Sequence, residues 1–256
     1  MQRGGAGEQR GPGLDEEAAF LAGYDMTAWP RPSLAVDVAI LTVLDDAVHV
    51  LLVERTKPPA KGRWALPGGF VRIDESLAAA VERVLQRETG LRDLYTAQLA
   101  TFGEVGRDPR GRVVTVAHYA LVAAGRIVET VGARDACTLA RVVPGDAAAG
   151  VPLVVRASVG EPGLAFDHDR IVAAAVERVR GRIWYAPIAF ELVPDEFTLL
   201  DLQRVYEAIL GRALDKNAFR RRILTSGLVA PLGRRREGLR ARPAELFRFA
   251  RESHAD

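Results

Sequence analysis

The chain holds 256 residues, 48% hydrophobic and 27% charged, with a formal net charge of +2. That is material for one large domain, or a medium and a small one, around a packed soluble core. One cysteine, Cys137, rules out a disulfide within the chain and makes a reducing cytoplasm the default setting. No apolar run is long enough to span a membrane: the best candidate, Leu34 to Leu44, is interrupted by Asp37, and the N-terminus lacks the apolar core of a signal peptide.

The small net charge hides an asymmetry. From Thr198 to Asp256 there are 13 Lys and Arg against 7 Asp and Glu, which leaves 22 basic and 26 acidic residues in the remainder. A basic C-terminal segment on a mildly acidic body is expected of a sensor joined to a nucleic-acid-binding element, although scattered charge also produces it.

In chain order, residues 1–30 open on Gly, Gln and Arg with few apolar side chains, and are expected to form a disordered or weakly ordered tail. Ser33 to Leu44 and Val48 to Val53 are apolar and β-branched around Asp45-Asp46, which predicts two paired strands. Arg55 to Arg63, with Pro58, Pro59 and Gly62, reads as a loop. Leu66 to Val71 predicts a tight glycine-rich turn, and Ser76 to Thr89 a helix stopped by Gly90. Strands are expected at Tyr95 to Glu104 and Arg112 to Val122, joined by the charged hairpin loop Arg107-Asp108-Pro109-Arg110-Gly111. Pro144 to Gly163 reads as surface loops. Asp167 is placed to cap a helix reaching about Arg182, followed by an apolar connector from Trp184 to Pro194. The expected domains are then 31–165 and 166–256.

Gly69, Glu75, Arg83, Glu88, Gly90 and Leu91 keep a fixed spacing behind the entry Trp64-Ala65-Leu66-Pro67-Gly68-Gly69. These residues resemble the Nudix box; the alternative is an ordinary amphipathic helix after a glycine-rich turn. The resemblance implies an α/β/α sandwich around a mixed sheet, with the box as loop-helix-loop. The chemistry of that box rests on three Glu at i, i+3 and i+4, which share a helix face and hold a divalent metal on a substrate pyrophosphate. Here those positions are Val84, Arg87 and Glu88. Glu82 lies about 200° from Val84 on a regular helix and does not replace the lost ligand. No catalytic residue, metal or required cofactor is expected, and the domain reads as a binder without efficient hydrolysis.

Arg87 puts a fixed positive charge on the face that would carry the metal. Two readings stand: a guanidinium that pairs with a pyrophosphate, or a surface side chain in solvent. Phe102-Gly103 followed by Arg107 to Gly111 resembles the loop of ADP-ribose-specific Nudix proteins. That resemblance implies ligand contact by Arg107 or Arg110 near Phe102; the alternative is a solvated turn. His118 and His168 are assigned structural roles.

Further on, Thr198-Leu199-Leu200-Asp201 has the form of a helix start, and Leu199, Leu202, Val205, Tyr206 and Ile209 recur at helical spacing up to Gly211. A second helix starts at Asp215, with Phe219, Ile223 and Leu224 apolar and Lys216, Asn217, Arg220 and Arg221 on its other face. Val229 to Leu232 and Leu246 to Phe249 are expected to pair, with Arg234, Arg235, Arg236, Arg240 and Arg242 at the tip between them. Helix, turn, basic helix and basic hairpin is the order of a C-terminal winged helix-turn-helix domain. The expected DNA contacts are Thr198, Lys216, Asn217, Arg220, Arg221, Arg234, Arg235, Arg236 and Arg242, with Asn suited to adenine edges and arginine to guanine edges or phosphates. The alternative is a small helical cap with a solvated basic face.

Gly163 to Asp169, Tyr185 to Phe190, Phe197-Thr198-Leu199, Leu214 to Arg220 and Arg242 to Phe247 are similar to the Nudix-related transcriptional regulators of NAD metabolism. The resemblance covers about Ser33 to Phe249. It implies a homodimeric repressor of NAD biosynthesis or salvage genes that is released from double-stranded operator DNA by ADP-ribose or a related nucleotide sugar. Some relatives regulate sugar use instead. The competing function is an active ADP-ribose pyrophosphatase with an accessory C-terminal domain; a third is a module that binds a protein partner.

Overall fold

The computed structural model describes residues 12–145, 153–156, 163–236 and 244–250. The residues before Ser33 form a unit of their own. It carries α1 (Pro12–Gly23), a helix inside the segment expected to be weakly ordered. Glu16, Glu17, Ala18, Ala19 and Leu21 favour helix, and the Phe20 and Tyr24 rings lie 5.6 Å apart, one turn along. The first eleven residues of the expected tail lie outside the described residues.

From Ser33 onward β1 (Ser33–Leu44) and β2 (Ala47–Glu54) form the expected hairpin. Asp45 and Asp46 turn it with φ of 49° and 57°, the left-handed pair that a two-residue hairpin needs and that aspartate tolerates better than most side chains. β3 (Trp64–Ala65) pairs with β2, and β4 (Gly68–Phe70) with β1. α2 (Leu77–Val84) starts at Ser76, whose hydroxyl accepts from the Ala79 N–H, and runs into a π-helical turn over Leu85–Thr89. Gly90 closes it in the left-handed conformation at φ 77°.

β5 (Tyr95–Phe102) and β6 (Val113–Leu121) follow as expected. α3 (Ala124–Gly132) and β7 (Cys137–Pro144) come next. β8 (Leu153–Arg156) is a strand inside the stretch read as surface loops, and it pairs with β7. Strand order across the sheet is β5-β6-β1-β2-β7-β8, with β1 and β6 parallel.

Alternation along β1 sends Val36, Val38 and Ile40 to one face and Ala39 and Leu41 to the other. The first face is covered by α2 and α3, through Ala80, Val81, Val84 and Ile127. The second is covered by α4 (His168–Arg182), through Ile171, Val172, Ala175, Val176 and Val179. This is the expected α/β/α sandwich around a mixed sheet.

Beyond α4 the chain makes a 3-10 turn over Pro187–Leu192, then α5 (Leu199–Leu210) and α6 (Lys216–Thr225). β9 (Val229–Arg236) and β10 (Ala244–Phe249) form an antiparallel hairpin, which Phe197 extends by a bridge to Phe247. Leu202, Val205 and Ile209 of α5, Phe219 and Ile223 of α6, and Phe247 belong to the same continuous core as the α4 face of the sheet. Ser33–Asp256 is accordingly one compact unit, and the expected boundary at residue 166 falls at the root of a helix packed on both sides of it.

Candidate functional site

The glycine-rich entry is shaped by a carboxylate. Asp37, the one charge on β1, is 7% exposed and its Oδ1 would lie 2.1 Å from a Cβ built on Gly68. Only glycine fits there. Glu75 then ties the loop to α2: it accepts from the Arg72 N–H at 2.8 Å and pairs with Arg83, whose guanidinium also donates to the Phe70 carbonyl at 3.0 Å. The Arg83 bonds hold the Glu75 carboxyl down at about 2, with the Arg72 backbone bond adding to the effect. These two box residues serve the shape of the loop.

The three metal-ligand positions fare differently. Val84 is fully buried in the core under α2. Arg87 and Glu88 sit on the π turn, and Arg87 spends its guanidinium on Glu88, with Nε 2.8 Å and Nη2 2.7 Å from Oε1. A hard divalent cation takes oxygen ligands, carboxylates foremost; an isopropyl group in the core offers none, and the Glu88 carboxylate is already paired with Arg87. Among the described residues, no three His, Cys, Asp or Glu side chains converge on a cation site. Arg87 does lie against the entry turn, its Nη2 3.3 Å from a Cβ built on Gly69. It is half exposed, so both earlier readings of it retain geometric support.

The arginines of the β5–β6 loop divide. Arg107 is buried, 4% exposed, and not open to solvent as a ligand contact would be. Its guanidinium grips both oxygens of Asp167 at 2.9 and 2.6 Å and reaches Asp37 at 3.5 Å. Asp167 is therefore not the helix cap expected: it stands at the N-cap of α4 but makes no side-chain capping bond. His168 completes the cluster. Its Nδ1 accepts from the Leu66 N–H at 2.9 Å, which leaves the proton on Nε2, facing Asp37 at 3.6 Å. Burial lowers its pKa and keeps it neutral. The structural role assigned to His168 fits this geometry.

Arg110 faces outward. It pairs with buried Asp108 and lies over the Phe70 ring at 4.9 Å and near the Phe166 ring at 5.8 Å. Arg55 approaches Phe166 from its own loop at 4.8 Å and is held by the Pro59 carbonyl. Burial and the neighbouring Arg110 both lower the Arg55 pKa. Two cations and two aromatic faces thus converge beside the box, a combination suited to a planar ring carrying phosphate. Phe102 is not among them, since it packs at the edge of the core under α4. Sequence reasoning missed Arg55, Phe70 and Phe166, because their loops lie far apart along the chain.

A cleft of about 1230 Å³ lies elsewhere, between the β1–β2 turn and the β9–β10 hairpin. None of the box residues lines it, and its cations are largely paired with its acids, as in Arg204 with Asp46 and Arg236 with Asp201.

In the C-terminal domain α6 begins at Asp215, which accepts from the Ala218 N–H at 2.7 Å. Phe219 and Ile223 are buried, and Lys216, Asn217, Arg220 and Arg221 are exposed together on the opposite side. Arg220 lies 4.0 Å from Glu245. Arg222 has turned aside, its guanidinium 4.0 Å over the Trp184 ring. Thr198 is buried, and its hydroxyl accepts from the Asp201 N–H in a reciprocal capping box, which leaves it no exposed group for DNA. Arg234, Arg235 and Arg236 stand on β9 and not at the hairpin tip. Arg234 pairs with Glu196, and Arg236 with Asp201 at 3.0 Å, while Arg235 is exposed and in no ion pair among the described residues. Arg240 and Arg242 lie outside the described residues.

A sandwich with a glycine-rich loop-helix-loop whose metal face is dismantled, fused to a winged helix with an exposed basic helix, defines a sensor-regulator architecture. The model of the NUDIX domain matches residues 33–150, and that of the NrtR DNA-binding winged helix domain matches residues 189–249. The chain is 36% identical over 246 residues to the ADPR responsive transcriptional repressor NtrR of Acinetobacter baylyi, covering 94% of this chain and 91% of that one. It is also similar to the crystal structure of Shewanella oneidensis NrtR complexed with a 27mer DNA. That match has TM-score 0.72 and 33% identity, over 85% of this chain and 93% of the other. Over 106 residues it is 34% identical to an ADP-ribose pyrophosphatase of Methanocaldococcus jannaschii, 41% of this chain and 60% of that one. The chain belongs to the NrtR family of Nudix and winged-helix transcriptional regulators. Among the described residues, no helix is long and apolar enough to cross a membrane.

Proposed function

We propose that this chain is a cytoplasmic, homodimeric transcriptional repressor that binds operator DNA of NAD biosynthesis or salvage genes and responds to ADP-ribose. The observation that carries the reading is the end-to-end similarity to a repressor named for its ADPR response, over a chain that pairs a dismantled metal face with an exposed basic helix. Arg55, Arg110, Phe70 and Phe166 would hold the ligand's base, ribose or phosphates, and Arg87 would meet the pyrophosphate once it exchanges Glu88 for phosphate oxygen. Lys216, Asn217, Arg220 and Arg221 would enter the major groove, with Arg235 on the backbone beside it.

A gel shift on the gene's own upstream region, with and without ADP-ribose, tests the reading: a specific shift that ADP-ribose reverses is expected, and no specific shift refutes it. Calorimetry in EDTA should show metal-free ADP-ribose binding that Arg87→Glu weakens; unchanged affinity would remove Arg87 from the site. The hydrolase reading draws on the similarity to the pyrophosphatase. Turnover of ADP-ribose with Mg²⁺ at about 1 per second or faster would establish it.

A further inference from the structure

α4 begins beside the proposed ligand site and ends against α5 and the buried side of α6. Phe166, whose ring faces Arg55 and Arg110, holds φ 57°, a left-handed backbone that an aromatic side chain disfavours, two residues before the helix starts. The next residue, Asp167, stands at the N-cap with its carboxylate committed to Arg107. A ligand that displaces the Phe166 ring therefore acts directly on the root of α4.

The other end lies about 22 Å away at the rise of a regular helix. Arg180 Nε donates to the Ile209 carbonyl of α5 at 2.9 Å. Trp184, just past the last turn, packs on Tyr206 and Phe219 with ring centroids 4.6 and 6.3 Å away, and carries Arg222 of α6 on its face. Arg222 is the odd cation of α6. At 100° per residue Arg221 lies about 40° around the helix from Asn217, on the exposed side, whereas Arg222 lies about 140° away. Arg222 is exposed like Arg221, but its guanidinium is laid on the Trp184 ring. A planar cation on an indole ties α6 to the end of α4, in addition to the buried Phe219 and Ile223 that seat the helix.

We infer that α4 couples effector occupancy to the recognition helix, and that Arg222 is the positioning residue at its far end, acting through Trp184 and not by touching DNA. This rests on the effector-controlled repressor proposed above. The test is the operator Kd with and without saturating ADP-ribose, together with the ADP-ribose Kd, for the full chain and for Arg222→Gln and Arg222→Lys. Arg222→Gln is expected to hold both separate affinities within about threefold while the fold-release by ADP-ribose falls below about a third of the wild-type value. Arg222→Lys, which retains a cation over the ring, should recover part of that release.

An unchanged release in Arg222→Gln overturns the inference. So does a loss of ligand-free operator binding with a shallower salt dependence, which would make Arg222 a DNA contact. If circular dichroism shows Arg222→Gln unfolded, Trp184→Phe takes its place, keeping a ring in the packing and weakening the cation's attraction to it. A wild type that binds operator but ignores ADP-ribose would defeat the proposed function itself, and this inference with it.

Discussion

Replacing Arg107 by methionine separates a structural arginine from a ligand-binding one. The side chain is 4% exposed, and the methionine would leave Asp167 without its bidentate partner and Asp37 with only a neutral histidine, at 11% and 10% side-chain exposure. Leaving one member of a buried pair uncompensated costs about 3–5 kcal/mol. For a body of this size that lowers the melting temperature by roughly 6–20 °C. Differential scanning calorimetry on Arg107→Met gives the number, and Arg107→Met with Asp167→Leu should be at least about 1 kcal/mol less destabilised than the sum of the two single changes. A loss below about 1 kcal/mol, the value of an exposed pair, would refute the argument and return Arg107 to the solvent-facing loop.

Asn217→Ala should relax discrimination at individual base pairs by about 1–3 kcal/mol, read from a panel of mutated operators. Arg235→Gln should weaken operator and random DNA alike and reduce the salt slope by roughly one unit, whereas Arg234→Gln and Arg236→Gln, whose cations are already paired, should change it less. Acid titration should show the Glu75 contribution directly. Its folded pKa lies at about 2 against an ordinary 4.5, so its stabilisation is complete above 4.5 and is lost as pH falls toward 2. The stability difference between wild type and Glu75→Gln should shrink over that window and stay constant above it. Gly68→Ala should lower the yield of folded protein or the melting temperature, because its Cβ meets Asp37 Oδ1 at 2.1 Å and the Val36 carbonyl at 3.0 Å. A melting temperature equal to wild type would mean the entry turn is shaped otherwise.

The fixed spacing from Gly69 to Leu91 made the sandwich legible, and the apolar periodicities around Leu202 and Phe219 did the same for the winged helix. Those signals are local, so one stretch of chain carries them. What stayed hidden depends on partners far along the chain. Asp37 registers in the sequence only as a break in an apolar run; its purpose comes from Arg107 and His168, brought together across the sheet. Asp167 has the residue type and position of a cap, yet an arginine 60 residues earlier claims it. The spacing of Val84, Arg87 and Glu88 puts them on one face of a regular helix, but Val84 is packed into the core and the other two stand on a wider π turn. Arg234 to Arg236 read as a tip because the sequence does not show that β9 continues through them.

The shared interior of the sandwich and the winged helix limits what can be exchanged between such proteins. A conventional modular regulator can trade its DNA-binding half for another across a linker. Here a cut after residue 165 would expose the sheet face that Ile171, Ala175 and Val179 cover, and a cut after α4 would strip Trp184 from Tyr206 and Phe219. A chimaera would inherit a mismatched seam wherever the exchange was made. New operator specificity in this architecture is therefore more readily reached by changing exposed residues of α6, such as Asn217 and Arg221, than by transplanting the domain that carries them.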